Sequence, residues 1–117
     1  MPWEFDRNSY RIPYPPSASG TITIDKREVP LIDVSERGIR YLVSEGVLPE
    51  VGGTIEGSVR LLSNRQAIAV TGTVVRCHDG AVAIALDAPG LPMQALFAEQ
   101  RFLARRFPAR YRSAAGT

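Results

Sequence analysis

At 117 residues, 44% hydrophobic and 22% charged, the chain is sized and composed as one soluble globular domain that can bury a core without staples. Its single cysteine, Cys77, excludes an internal disulfide and fits a reducing compartment, and with one histidine, His78, it argues against a structural zinc site. The net charge of +2 is uneven: residues 101–117 hold five arginines and no acid while the body is slightly acidic, which argues against a nucleic-acid-coating surface.

In chain order, residues 1–17 form an N-terminal arm rich in Pro, Ser and aromatics, without helical or strand periodicity. The arm has no apolar stretch of signal-peptide length and no later run approaches the ~20 residues of a membrane span, so a cytoplasmic, non-inserted protein is expected. Residues 18–108 are expected to form the folded body. Period-two patterning marks strands near 20–25 and 29–34, turned by Asp25-Lys26-Arg27. Gly38 restarts a strand in which Ile39, Tyr41 and Val43 share a face, and the punctuated loop EGVLPEVGG follows. TIEGSVRLLS, AIAVTGTVVRCH and AVAIALD complete a set of short strands, with turns at Asn64-Arg65 and Asp79-Gly80. That spacing predicts a mainly β fold, a small antiparallel six-stranded barrel or a sandwich. The run LPMQALFAEQRFLARRFP lacks β-branched residues and predicts a C-terminal helix between Pro92 and Pro108. Leu96, Leu103 and Phe107, with Ala95, Ala98 and Phe102, make its apolar stripe, and Arg101, Arg105 and Arg106 point elsewhere. Residues 109–117 are expected to be a flexible basic tail.

Two short patterns stand out. Arg7 and Arg11 lie four apart in an arm with no helical pattern to explain them. After 21 intervening residues, Asp33, Ser35 and Gly38 form DxSxxG at the end of an early strand. Alone, the second pattern reads as turn chemistry, with Asp and Ser capping and Gly supplying a left-handed residue or close backbone approach. The two together, in this order and in a barrel of this size, resemble the PilZ domain. The resemblance spans nearly the whole chain. It implies a PilZ-like six-stranded barrel with a C-terminal helix, and a cyclic di-GMP site made of Arg7, Arg11, Asp33, Ser35 and Gly38.

The chemistry fits that implication. Guanidinium forks match phosphate oxygens and the O6 and N7 atoms of guanine, and they stack on purines. A carboxylate on a rigid strand accepts from guanine N1–H and N2–H₂, which arginine cannot do. Arg7 and Arg11 would be a mobile clamp, with Asp33, Ser35 and Gly38 a fixed reading edge. Asn8, Ser9 and Tyr10 fill the clamp and are secondary candidates, as are Arg37 inside the motif and Arg76 in TVVRC. Many relatives carry a further arginine where this chain has Asp6, and its absence points to one nucleotide per site. Trp3, Phe5, Tyr10 and Tyr14 are expected to pack the arm on the barrel or a partner, or to stack on guanine. His78 and Cys77 read as a solvated turn residue and a small core residue.

An enzyme is not expected: no second histidine, phosphate-binding glycine loop or metal-ligand spacing is present, and no cofactor is implied. A single-stranded nucleic-acid module would want aromatics interleaved with basic residues along the strands, and Tyr41 stands nearly alone there. A nucleotide-independent PilZ-like adaptor is the remaining alternative, although such members typically lack one of the two patterns. The expectation is a cyclic di-GMP effector acting through an unidentified downstream protein.

Overall fold

The computed structural model describes residues 11–64 and 66–110. Within them lie β1 (Ile12–Pro13), β2 (Thr21–Ile24), β3 (Arg27–Val34), β4 (Gly38–Leu42), β5 (Thr54–Arg60), β6 (Ile68–His78), β7 (Ala81–Leu86) and α1 (Met93–Arg106). The strands run in the order β3-β2-β5-β6-β7-β4, and a β3–β4 pairing closes the ring into an antiparallel six-stranded barrel. β1 is an extra strand beside the end of β3, with Ile12 opposite Val34 and Pro13 opposite Asp33. The six-strand barrel and the helix agree with the sequence pattern.

Alternation supplies the core. Ile39 and Tyr41 of β4, Val82, Ile84 and Leu86 of β7, and Val70 and Val74 of β6 point inward and are buried. Burial raises the pKa of the Tyr41 phenol above its ordinary value, with the nearby Cys77 adding to the effect. Ile12 and Tyr14 join this core, so the last part of the N-terminal segment is packed into the barrel. The turn between β2 and β3 is tighter than its three polar residues suggest. Arg27 already pairs with Ile24, and Asp25 and Lys26 alone make the connection, with φ of 51° and 67°. Positive φ at both central residues matches the right-handed twist of a two-residue hairpin, which here overrides the preference for Asn-Gly.

α1 starts after Pro92, whose extended conformation makes it the cap rather than a helical residue, and it ends at Phe107, ahead of Pro108. Its fully buried face is Leu96, Glu99 and Leu103. The two leucines belong to the stripe read from the sequence, while the carboxylate between them does not. Among the described residues no helix is long and apolar enough to cross a membrane.

Candidate functional site

In a regular strand Asp33 would share a face with Leu31, two residues away, and Leu31 is in the core. It does not, because β3 carries a bulge. Leu31 pairs with Tyr41 and Asp33 with Arg40, so Ile32 is the extra residue and the register shifts there. One added residue reverses the facing of everything after it. Val34 therefore turns inward opposite Ile39, and Asp33 turns outward beside Arg40. The bulge is held from the other side, where the Tyr14 amide donates to the Ile32 carbonyl at 3.0 Å.

β6 repeats the device. Val74 pairs with Ile84 and Arg76 with Ala83, with the register shift between them at Val75. Arg76, which strict alternation would send inward after Gly72 and Val74, is thereby exposed. The pairings Asp33–Arg40, Arg40–Ala83 and Ala83–Arg76 then place four residues in one row across the outer face of β3, β4, β7 and β6. Strand spacing puts Arg40 and Arg76 roughly 10 Å apart. Only the Ala83 methyl stands between them.

At one end of this row Asp33 is 3% exposed despite facing outward. Arg40 donates to its Oδ2 twice, from Nε at 2.9 Å and Nη2 at 2.6 Å. Arg11 Nη1 approaches the same oxygen at 3.9 Å. These contacts leave Oδ1 outside the pair. The hydrogen bond to Asp33 raises the Arg40 pKa, burial opposes it in part, and the guanidinium stays charged at any physiological pH.

The rest of the motif builds the turn. Ser35 is buried, and both its amide and its hydroxyl donate to the Gly38 carbonyl, at 2.8 and 3.0 Å. Gly38 opens β4 in extended conformation opposite Ala85 and is not left-handed, which removes the left-handed turn as its reason. Close approach remains: a Cβ there would lie 3.3 Å from Ser35 Oγ. Arg37 donates Nε–H to the Leu86 carbonyl at 3.0 Å, and its own carbonyl accepts from the Leu86 amide at 2.9 Å. The Glu36 carbonyl accepts from the Leu91 amide at 2.8 Å. The turn is thus laced to the connection between β7 and α1. Arg7, Asn8, Ser9 and Tyr10 lie outside the described residues.

The structure thus brings Arg11, Asp33, Ser35 and Gly38 together at one barrel edge and sets Arg76 along the same outer row. Cys77 is half-buried, with its thiol donating to the Pro49 carbonyl at 3.3 Å, and His78 is exposed at the hairpin beside Asp79. Two residues had no place in the sequence reading. Arg40 lies two past Gly38, at an outward position of an alternating strand, and that alternation was its signal. Glu99 is three past Leu96 and four before Leu103, so helical spacing alone puts it on the buried face.

A closed barrel with its polar chemistry gathered along one outer row, beside the strand edge that β1 covers, is a barrel module whose candidate site lies outside rather than within the barrel. The chain belongs to the PilZ domain family, whose model matches residues 5–101. No curated protein matches its sequence. Among solved structures it resembles the uncharacterized Legionella protein Lpg0364, with a TM-score of 0.58 at 11% identity, covering 83% of this chain and 97% of that one. It also resembles the Bacillus subtilis inhibitor of motility MotI/DgrA, with a TM-score of 0.58 at 17% identity over 89% of this chain. The chain spans about half of MotI/DgrA, 52% of its length. At these identities the likenesses speak to the fold alone.

Proposed function

We propose that the chain is a cyclic di-GMP receptor that closes its N-terminal segment over the outer barrel face and so regulates a partner protein. The observation that carries this reading is the outward row of Asp33, Arg40 and Arg76 with Arg11 at its end, two members of which face out only because of bulges. Membership of the PilZ family supports the ligand class. A cyclic dinucleotide presents two anionic phosphates and two guanine edges, and the row offers arginine forks for the first and a rigid carboxylate for the second. Arg7 and Arg11 act as the clamp. Ser35 and Gly38 hold the turn that fixes Asp33, and Arg37 ties that turn to β7. Arg76 meets the far side of the ligand in this reading, and Asn8, Ser9 and Tyr10 are the secondary contacts of the clamp.

Calorimetric titration of cyclic di-GMP into the protein, with cyclic di-AMP as control, tests the reading. Binding near one nucleotide per chain is expected, with Asp6 disfavouring a stacked pair. Two per chain would remove that role from Asp6. Absence of both heat and thermal stabilisation would leave a nucleotide-independent adaptor. In the closure step, amide exchange in residues 1–16 should slow at saturating ligand, and unchanged exchange would eliminate closure.

Arg7→Ala and Arg11→Ala should each cost about 2 kcal/mol of binding free energy, through loss of charge-assisted bonds. The same titration reads this loss, and full affinity in either variant would take that arginine out of the clamp.

A further inference from the structure

Arg40 belongs to neither RxxxR nor DxSxxG, yet it makes the closest contacts to the candidate reading residue. Both of its bonds fall on Asp33 Oδ2, and a carboxylate oxygen has two lone pairs to fill. Neither bond uses Oδ1. Arg40 does this from a rigid position, because β4 is paired on both sides, to β3 at Asp33 and to β7 at Ala83. Its own side chain is 44% exposed while that of Asp33 is 5% exposed. The arginine thus forms part of the cover over a charge that would otherwise be buried with only the longer Arg11 contact to compensate it.

Arg11 is a second, more distant partner for that charge, 3.9 Å from the same oxygen. We infer that Arg40 is a positioning residue for nucleotide recognition: it saturates Oδ2, turns Oδ1 toward the ligand, and holds Arg11 at its long 3.9 Å contact rather than letting it close into a direct hydrogen bond with Asp33. This inference rests on the receptor reading above and adds a residue to it. Without Arg40, the buried carboxylate recruits Arg11 as its counter-ion. The reading carboxylate and one arm of the clamp are then engaged with each other. Loss of Arg40 should therefore weaken affinity and guanine selectivity together, and only while residue 33 is an aspartate.

A double-mutant cycle with Arg40→Met, Asp33→Asn and the combined variant tests this, using cyclic di-GMP and cyclic di-AMP as ligands. Arg40→Met should lose about tenfold in cyclic di-GMP affinity, as expected when charge-assisted bonds are removed, and should narrow the preference over cyclic di-AMP. On the Asp33→Asn background the same change should do nothing further. Equal weakening on both backgrounds would make Arg40 a direct phosphate contact, and undiminished affinity in Arg40→Met would remove it from recognition; either result overturns the inference. The double variant leaves no unpaired charge, which guards the comparison against a single variant that folds poorly.

A ligand-free arm separates this failure from failure of the receptor reading. In ¹⁵N spectra of the free protein, the Arg11 Nε–H resonance should move in Arg40→Met and return in the double variant. An Arg11 signal indifferent to Arg40 overturns the inference even if the wild-type protein binds no nucleotide.

Discussion

Glu99→Ala should destabilise the protein by about 4 kcal/mol, because one buried and two part-buried donors lose their acceptor at once. The Glu99 side chain is fully buried and receives the Tyr14 hydroxyl, the Leu62 amide at 2.7 Å and the Ser63 amide at 2.7 Å. The donors come from two separate stretches: Tyr14 follows β1, and Leu62 and Ser63 lie together between β5 and β6. A carboxylate accepts all three without supplying a competing N–H, which explains a charged residue in the apolar stripe of α1. Glu99→Gln keeps the shape but turns an amide toward one of the donors, so about 2 kcal/mol is expected. Tyr14→Phe leaves both amide contacts and should cost about 1.5 kcal/mol. For a domain of this size each kcal/mol moves Tm by about 4 °C, so thermal melts of the three variants resolve this order. If Glu99→Ala melted within a few degrees of wild type, water would be satisfying those donors and the carboxylate would not be holding the helix.

The same contact has a second consequence. The Tyr14 amide secures the bulge at Ile32, and its hydroxyl reaches Glu99 on α1. One residue therefore links the outward turn of Asp33 to the C-terminal helix, three positions after the arginine at the end of the candidate clamp. Helix and bulge are thus joined through Tyr14, although they are far apart in sequence.

Most of the barrel was legible because its strands alternate and its turns are punctuated. Ile39 and Tyr41 fall inward as their spacing requires, and the polar pair Asp79-Gly80 makes the turn that its composition suggests. The helix was legible from the loss of β-branched residues after Pro92. The facing of Asp33 and Arg76 was not, because period two assigns each the face of the core residue two places before it. A bulge is a register event between two strands, and one strand read alone carries no mark of it. Arg40 was overlooked for a related reason: its importance lies in the cross-strand pairing with Asp33, which exists only once β3 and β4 are aligned. Glu99 had the spacing of a core residue, but its charge argued against burial, and only the donors converging on it reverse that argument.

Gly90→Ala should be the most damaging small substitution near the site, costing about 3 kcal/mol in stability. Gly90 has φ of +76°, and a Cβ there would lie 2.0 Å from the Glu36 carbonyl oxygen and 3.0 Å from Arg37 Cδ. The obstruction is backbone, so no rotamer relieves it. The Glu36 carbonyl is also the acceptor for the Leu91 amide, and pushing it away would loosen the turn that carries Ser35 and Gly38. Gly52→Ala isolates the conformational part of this loss. Gly52 has φ of +92° but an added Cβ would meet nothing within 4 Å, so only left-handed strain of about 1 kcal/mol is expected. Denaturant melts of the two variants should therefore differ by about 2 kcal/mol, the share due to crowding against Glu36 and Arg37. If the receptor reading holds, Gly90→Ala should also weaken nucleotide binding under conditions where it remains folded, whereas Gly52→Ala should not. Equal stability losses would mean that the β7–α1 connection yields to the methyl group, and the DxSxxG turn would then not depend on Gly90 for its position.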